Sequence, residues 1–447
     1  MFRRCVSLAF LISCAAVALH GQPAAPTPAP PAPPNPNPEQ VAGIPVNYDE
    51  AKVGTYTLPD ALTLNNGKSV RDAKTWWKQR RPQIVELFET QQFGRAPGRP
   101  AAESFEVFDK GTPALGGKAI RKQVRIYLTA DKSDPSIQLL IYLPTGATKP
   151  VPMFFSINFG ALQNITDDPG IKTETVWDPK TGKRIAPPEM FKRFGHMDVL
   201  PLLEAGFGVA TYYYGDVDPD MPNGFANGIR AKYLKAGQSE RAEDDWGSIA
   251  AWAWGMSRVQ DYFETDPSID AKRVAIHGVS RLGKTVMWAG AHDQRFAAVI
   301  ASCSGEGGAA LSHRDYGETV AHLTAPDRFP YQFAKNYAKY GGFPDKAPFD
   351  ANMLIALIAP RPLLLQTGDT DKWSDPKGEF LAAVAAGPVY RLLGKQDLGT
   401  ETWPGAKQEV GHDLTYYMHD GGHGMVPSDW GVYVEFLKQH LQPTAVK

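Results

Sequence analysis

The stretch Val274-Ala275-Ile276-His277-Gly278-Val279-Ser280-Arg281-Leu282-Gly283-Lys284-Thr285-Val286-Met287-Trp288 decides how this chain folds. A short apolar run enters a glycine-flanked turn with a serine at its tip, and a helix-forming segment leaves it. The order predicts a buried strand, a sharp turn and a helix, which lifts the Ser280 hydroxyl off the backbone toward a substrate. The flanking glycines let neighbouring backbone come close without a Cβ clash. The helix N-terminus offers unpaired N–H groups to a developing oxyanion. The usual spacing is Gly-x-Ser-x-Gly, whereas here the second glycine comes one residue later. A capping serine in an ordinary strand-to-helix turn is the plain alternative.

Outward from this turn, Gln138–Leu143, Pro152–Ile157 and Gly208–Tyr213 are nearly continuous apolar runs that suit strands covered on both faces. Gln123–Leu128 alternates polar and apolar residues and predicts a half-exposed strand. Ala298–Ala301 and Pro362–Thr367 predict two further strands. Trp246–Phe263 carries an apolar residue every three or four positions and predicts a helix, with Asp244 and Asp245 at its N-terminus. Trp252 and Trp254 fit core packing at that spacing better than a sugar-stacking platform. Strands followed by strand–helix alternation predict a mostly parallel central sheet with helices on both faces, and the serine elbow within it makes the expected architecture an α/β-hydrolase fold. Ligands of such sheets sit beyond the C-terminal strand ends.

Composition sets the frame. The chain has 447 residues, 43% hydrophobic and 21% charged, enough to build a large core, and its net charge of −1 gives no footprint for nucleic acid or an anionic membrane. Arg3 and Arg4 precede an apolar run from Val6 to Leu19, so residues 1–21 predict a secretory signal peptide. Leu11-Ile12-Ser13-Cys14 offers the alternative of lipidation at Cys14. Pro23–Pro38 holds nine prolines in sixteen residues, an extended linker assigned to 22–40, ahead of one catalytic domain at 41–447. Removal of the signal peptide leaves Cys303 as the one cysteine, so no internal disulfide is expected. Cys303 follows a core strand and reads as a buried, inert thiol. No zinc-ligand spacing occurs, and neither a metal nor another cofactor is expected.

A serine nucleophile needs a base, and the base needs an orienting acid, in the chain order Ser, Asp or Glu, His. Gly421-Gly422-His423-Gly424 is a glycine-flanked loop able to deliver an imidazole, a setting that His412 and His419 lack. The acid is expected after Leu365-Gln366-Thr367, where Asp369, Asp371 and Asp375 compete. Asp371 has the favoured Gly-x-x-Asp spacing. Asp369 comes second and Asp375 third.

The chain resembles the glucuronoyl esterases, in particular their bacterial branch. The resemblance rests on Gly278-Val279-Ser280-Arg281-Leu282-Gly283-Lys284, Ser304–Ala310, Leu357–Pro362 and Gly421-Gly422-His423, and extends over most of the chain after the linker. It implies a secreted enzyme that cleaves esters between lignin alcohols and 4-O-methyl-glucuronate on glucuronoxylan. Ser280 resembles the nucleophile, His423 the base, and Arg281 an arginine that helps hold the oxyanion. Lys284, Glu318 and Trp373 match positions that contact the glucuronate. The fungal members carry their acid, a glutamate, where this chain has Cys303, so the resemblance moves the acid to Asp371. A carbohydrate acetyl esterase on the same fold and a non-catalytic carbohydrate-binding protein are the rival readings.

Overall fold

The computed structural model describes residues 37–132, 135–189, 196–234 and 241–445. The expected signal peptide, the possible lipidation site at Cys14 and the linker up to residue 36 lie outside them. The first strands among the described residues are a small antiparallel pair, β1 (Gln40–Val41) and β2 (Ile44–Pro45), the former reaching into the stretch expected to be linker.

The centre is a ten-stranded sheet. Its strands are β3 (Ser104–Ala114), β4 (Ala119–Tyr127), β5 (Ser136–Pro144), β6 (Val151–Asn158), β9 (Gly208–Tyr213), β10 (Ile269–Val279), β11 (Ala298–Ser302), β12 (Leu363–Gly368), β13 (Glu409–Gly411) and β14 (Leu414–His419). A short hairpin, β7 (Val176–Asp178) and β8 (Lys183–Ile185), stands apart. The order across the sheet is β13-β14-β12-β11-β10-β6-β9-β5-β4-β3. From β14 to β9 every neighbour is parallel, while β13 and the hairpin-linked β3, β4 and β5 pair antiparallel. The predicted parallel sheet is therefore its middle, flanked by antiparallel edges.

Alternation along the central strands feeds two cores. Phe155, Val274, Ile276, Val299 and Leu365 face one layer with Trp252, Met256, Val286, Leu354 and Phe380. Phe154, Ala275, Ile300 and Leu364 face the other with Leu202, Leu203, Tyr433, Phe436 and Leu437. Burial on both faces explains the unbroken apolar runs of these strands. Trp252 and Trp254 are buried in the first core, as their spacing predicts.

The helix expected from Trp246 starts two residues later, at Ser248, with Gly247 as its cap. A Cβ on Gly247 would fall 2.2 Å from the Gln332 carbonyl oxygen, so this position is packed too closely for a helical turn carrying side chains. Asp245 instead accepts from the Ala242 N–H in the preceding turn. Because β10, β12 and β14 run parallel, their C-terminal ends lie on one edge of the sheet, and Ser280, Asp371 and His423 follow them directly.

Candidate active site

The elbow is built as its sequence predicts. β10 ends at Val279, Ser280 has φ 58° and ψ −128°, and the helix Arg281–His292 begins at the next residue. This backbone conformation is rare for a residue with a side chain and marks a position held by its surroundings. The Ser280 N–H donates to the Ser302 carbonyl at 2.8 Å, which continues the parallel ladder into the turn. A Cβ on Gly278 would sit 2.2 Å from the Leu282 carbonyl oxygen, so only glycine lets the helix fold back over the strand. Gly283 faces Ser302 and Ser304 at the end of β11, where a Cβ would come within 2.9 Å of the Ser302 carbonyl oxygen. The displaced second glycine thus serves contact between the helix and the neighbouring strand end.

Ser280, Arg281, Lys284, Glu318, Asp371, Trp373 and His423 all line one cavity of about 330 Å³, at the small end for a small-molecule site. Cys303, Leu323, Arg328, Phe329, Gln332 and Ser374 complete its wall. His423 Nδ1 lies 2.7 Å from an Asp371 carboxylate oxygen and 3.1 Å from the Ser374 hydroxyl. Those contacts occupy Nδ1 and leave Nε2 as the nitrogen able to take a proton. The Asp371 side chain is 3% exposed and that of His423 42%. Burial works to raise the Asp371 pKa, but the hydrogen bonds from His423 and Ser374 and the His423 ring outweigh it and hold the carboxyl below its usual range.

The two competing aspartates have other partners. Asp369 accepts from the Gly421 N–H at 2.8 Å and so fastens the histidine loop. Asp375 caps the helix Pro376–Leu392 through the Gly378 N–H and receives the Arg314 guanidinium at 2.9 Å. The competing histidines are also accounted for. His419 is buried between Asp429 at 3.0 Å and the Gly422 carbonyl at 2.9 Å, and His412 stands beside Asp413 at the sheet edge.

The sugar-side candidates form one linked wall. Lys284 Nζ lies 3.7 Å from a Glu318 oxygen, and both side chains are under 10% exposed. Burial lowers the Lys284 pKa, and Arg281 adds to that, while Glu318 opposes it. The other Glu318 oxygen meets Arg328 at 3.1 Å. The Glu318 N–H donates to the Trp373 carbonyl at 2.8 Å, which ties the two positions together. Phe329 lies 4.6 Å from the guanidinium carbons of both Arg281 and Arg328, and Arg328 continues over Trp373 at 5.8 Å. Cations over aromatic faces are attracted by the ring quadrupole, so the stack stiffens the wall.

Two parts of the site were missed in the sequence. Asp220, its side chain 5% exposed, forms an ion pair with Arg281 and accepts from Tyr214 (3.1 Å), Tyr331 (3.0 Å) and Gln332 (2.7 Å). Burial disfavours the Arg281 charge, but Asp220 outweighs it and keeps the guanidinium firmly charged. The second is an N-terminal strap. The Asn47 carbonyl accepts from the Gly317 N–H at 2.8 Å, and Asn47 Nδ2 donates to the Asp315 carbonyl at 2.6 Å. The Ile44 carbonyl meets His322 Nε2 at 3.3 Å, and Glu50 pairs with Arg314 and Lys377. The segment that presents Glu318 is therefore held by residues some 270 positions away, as the Asn47–Asp315 separation of 268 shows.

Cys303 is buried at the end of β11 with φ 45°, and its Sγ meets the Gly424 N–H and carbonyl at 3.4 Å each. Burial, aided by Asp371, pushes its pKa well up. It is buried as expected, but it also lines the cavity.

Among the described residues, no helix is long and apolar enough to cross a membrane. A family model described as "Glucuronyl esterase, fungi" matches residues 239–394, a window that includes Ser280 and Asp371 but ends before His423. The chain is 44% identical over 404 residues to carbohydrate esterase MZ0003 of an unknown prokaryotic organism, which covers 88% of this chain and 92% of that protein. It is 31% identical over 198 residues to 4-O-methyl-glucuronoyl methylesterase 1 of Wolfiporia cocos, or 42% of this chain and 48% of the relative. Among solved structures, a glucuronoyl esterase from Solibacter usitatus matches with TM-score 0.83 at 43% identity, covering 88% of this chain and 100% of that one.

Proposed function

The chain belongs to the glucuronoyl esterases, the carboxylic ester hydrolases of carbohydrate esterase family 15, and from that premise we propose that it cleaves 4-O-methyl-glucuronate esters on xylan whose alcohols come from lignin. The observation that carries the reading is the shared cavity. The elbow serine, the His423–Asp371 pair and a wall of Lys284, Glu318 and Trp373 all open onto it.

In this mechanism Ser280 Oγ attacks the C6 carbonyl while His423 Nε2 takes its proton. Asp371 holds the Nδ1 proton and orients the ring. The charge that develops on the carbonyl oxygen is met by Arg281 and by backbone N–H groups at the start of the Arg281–His292 helix. His423 then protonates the leaving alcohol, and water, activated by the same imidazole, releases glucuronate. Lys284 and Glu318 are suited to opposite ends of sugar hydroxyls, one donating and the other accepting, and the Trp373 ring supplies an apolar wall with an N–H donor.

Ser280→Ala is expected to lose roughly three or more powers of ten in turnover of a glucuronate benzyl ester while remaining folded. Near wild-type turnover in that variant would remove Ser280 from its role. Comparison of glucuronate esters with acetylated xylan separates this reading from an acetyl esterase. A fluorophosphonate that fails to label Ser280 would favour a non-catalytic binding protein. The reading includes secretion: residues 1–21 as the export signal, 22–40 as the linker and 41–447 as the catalytic domain. N-terminal sequencing of exported protein tests this, and a lipidated Cys14 would instead tether it to a membrane.

A further inference from the structure

Cys303 stands in the cavity with no part in the reaction above. Its Sγ, a carboxylate oxygen of Asp371 and a ring nitrogen of His423 all lie within 4.8 Å of one another. Thiolate, imidazole and carboxylate are the donors Zn²⁺ accepts, and a tetrahedral zinc ion holds such atoms about 3.5 Å apart. The three residues follow three adjacent parallel strands, β11, β12 and β14, so the sheet itself sets their spacing. The Gly424 N–H points at Sγ at 3.4 Å, the kind of outer contact that steadies a metal-bound thiolate. All three side chains line the same cavity, and His423 is exposed enough to admit an ion.

We propose that Cys303, Asp371 and His423 form an inhibitory site for Zn²⁺ or another thiophilic divalent cation, with water or the Ser280 hydroxyl as fourth ligand. On binding, the thiol releases its proton to solvent. The imidazole proton moves from Nδ1 to Nε2, so that Nδ1 coordinates. Thiolate and carboxylate together neutralise the two charges of the ion. Nε2 then carries a proton and cannot accept one from Ser280. The inhibition rests on the esterase reading, whereas the binding does not.

Two measurements test this on the full-length protein. In the first, Co²⁺ is titrated into wild type, Ser280→Ala and Cys303→Ser. A thiolate-to-cobalt charge-transfer band is expected near one equivalent in the first two and is expected to be absent in the third. In the second, Zn²⁺ inhibition is read against each variant's own metal-free rate, with reversal by EDTA. Cys303→Ser and Cys303→Ala, checked for folding by circular dichroism, should need at least about tenfold more Zn²⁺ for half inhibition. Absence of the thiolate band in both wild type and Ser280→Ala would overturn the site. Half inhibition at the wild-type Zn²⁺ concentration in both Cys303 variants would overturn it too. A band in a protein without esterase activity would uphold metal binding and strike the functional reading instead.

Discussion

Asp369 and Asp371 lie two residues apart and hold different parts of one loop: Asp371 takes the His423 ring and Asp369 the Gly421 backbone. Asp371→Asn should therefore cost about three to four powers of ten in kcat, because an amide favours the wrong imidazole tautomer. Asp369→Asn keeps an acceptor for the Gly421 N–H and should cost less than about tenfold. Steady-state kinetics on a glucuronate ester reads both, and the reverse ranking would transfer the role to Asp369. The Asp371 pKa is lowered in the fold. Its contribution to stability is thus present above its unfolded value near 3.8 and is lost as pH falls through the lower folded value. The spacing Gly-x-x-Asp favours Asp371 among three loop aspartates, and Asp371 is the one that meets the His423 ring. Asp220 was not legible: nothing local marks a carboxylate 61 residues upstream of the arginine it holds.

At the level of elements, the elbow strand and helix deliver Ser280, but a separate loop delivers the counter-ion of its neighbour. Asp220→Asn removes the charge that keeps Arg281 in place while leaving a side chain of similar shape. We expect kcat to fall about tenfold or more with little change in KM, since a group that meets developing charge acts on the transition state alone. A rise in KM with kcat intact would assign Arg281 to ground-state binding. Five of the six parallel strands were readable in the sequence because burial on both faces leaves an unbroken apolar run, whereas β14, Leu414–His419, with Thr415 and His419 breaking its apolar pattern, was not. The helix start at Ser248 was not, because it is set by tertiary contact of Gly247 with Gln332. Nor was the strap at Ile44–Glu50, whose partners lie some 270 or more positions further along the chain, beyond any local pattern.

Across the whole molecule, buried titratable groups pull stability in opposite directions. His277 lies in β10, its ring between Ser156 (2.9 Å) and Ser302 (3.4 Å), and burial pushes its pKa down to about 3. Between pH 6.5 and that value the unfolded chain binds a proton the fold refuses, so stability drops as pH falls through this window. Glu306 and Glu379 are the opposite case: burial raises each to about 8. Above their ordinary value near 4.5 the unfolded chain ionises them and the fold does not, so stability drops as pH rises toward 8. Asp375, raised to about 6, and Glu103, raised to about 7, both chiefly by burial, act in the same direction as these two glutamates, so the melting temperature should fall as pH rises from about 5 to 8. Thermal melts from pH 3 to 8 check this. Glu379→Gln should flatten the alkaline limb and His277→Gln the acidic one, while a peak at pH 8 would contradict the assignment.

The strap has a consequence for how the protein tolerates cutting. It belongs to no strand of the large sheet, yet it backs the segment that carries Glu318, the residue proposed to meet the sugar. A protease that trimmed the first fifty residues would spare the serine elbow and its partners while loosening the carbohydrate grip. The shortened molecule would still open small, sugarless esters but would lose its preference for uronates. A brace near the N-terminus thus supports a wall whose own residues lie far along the chain.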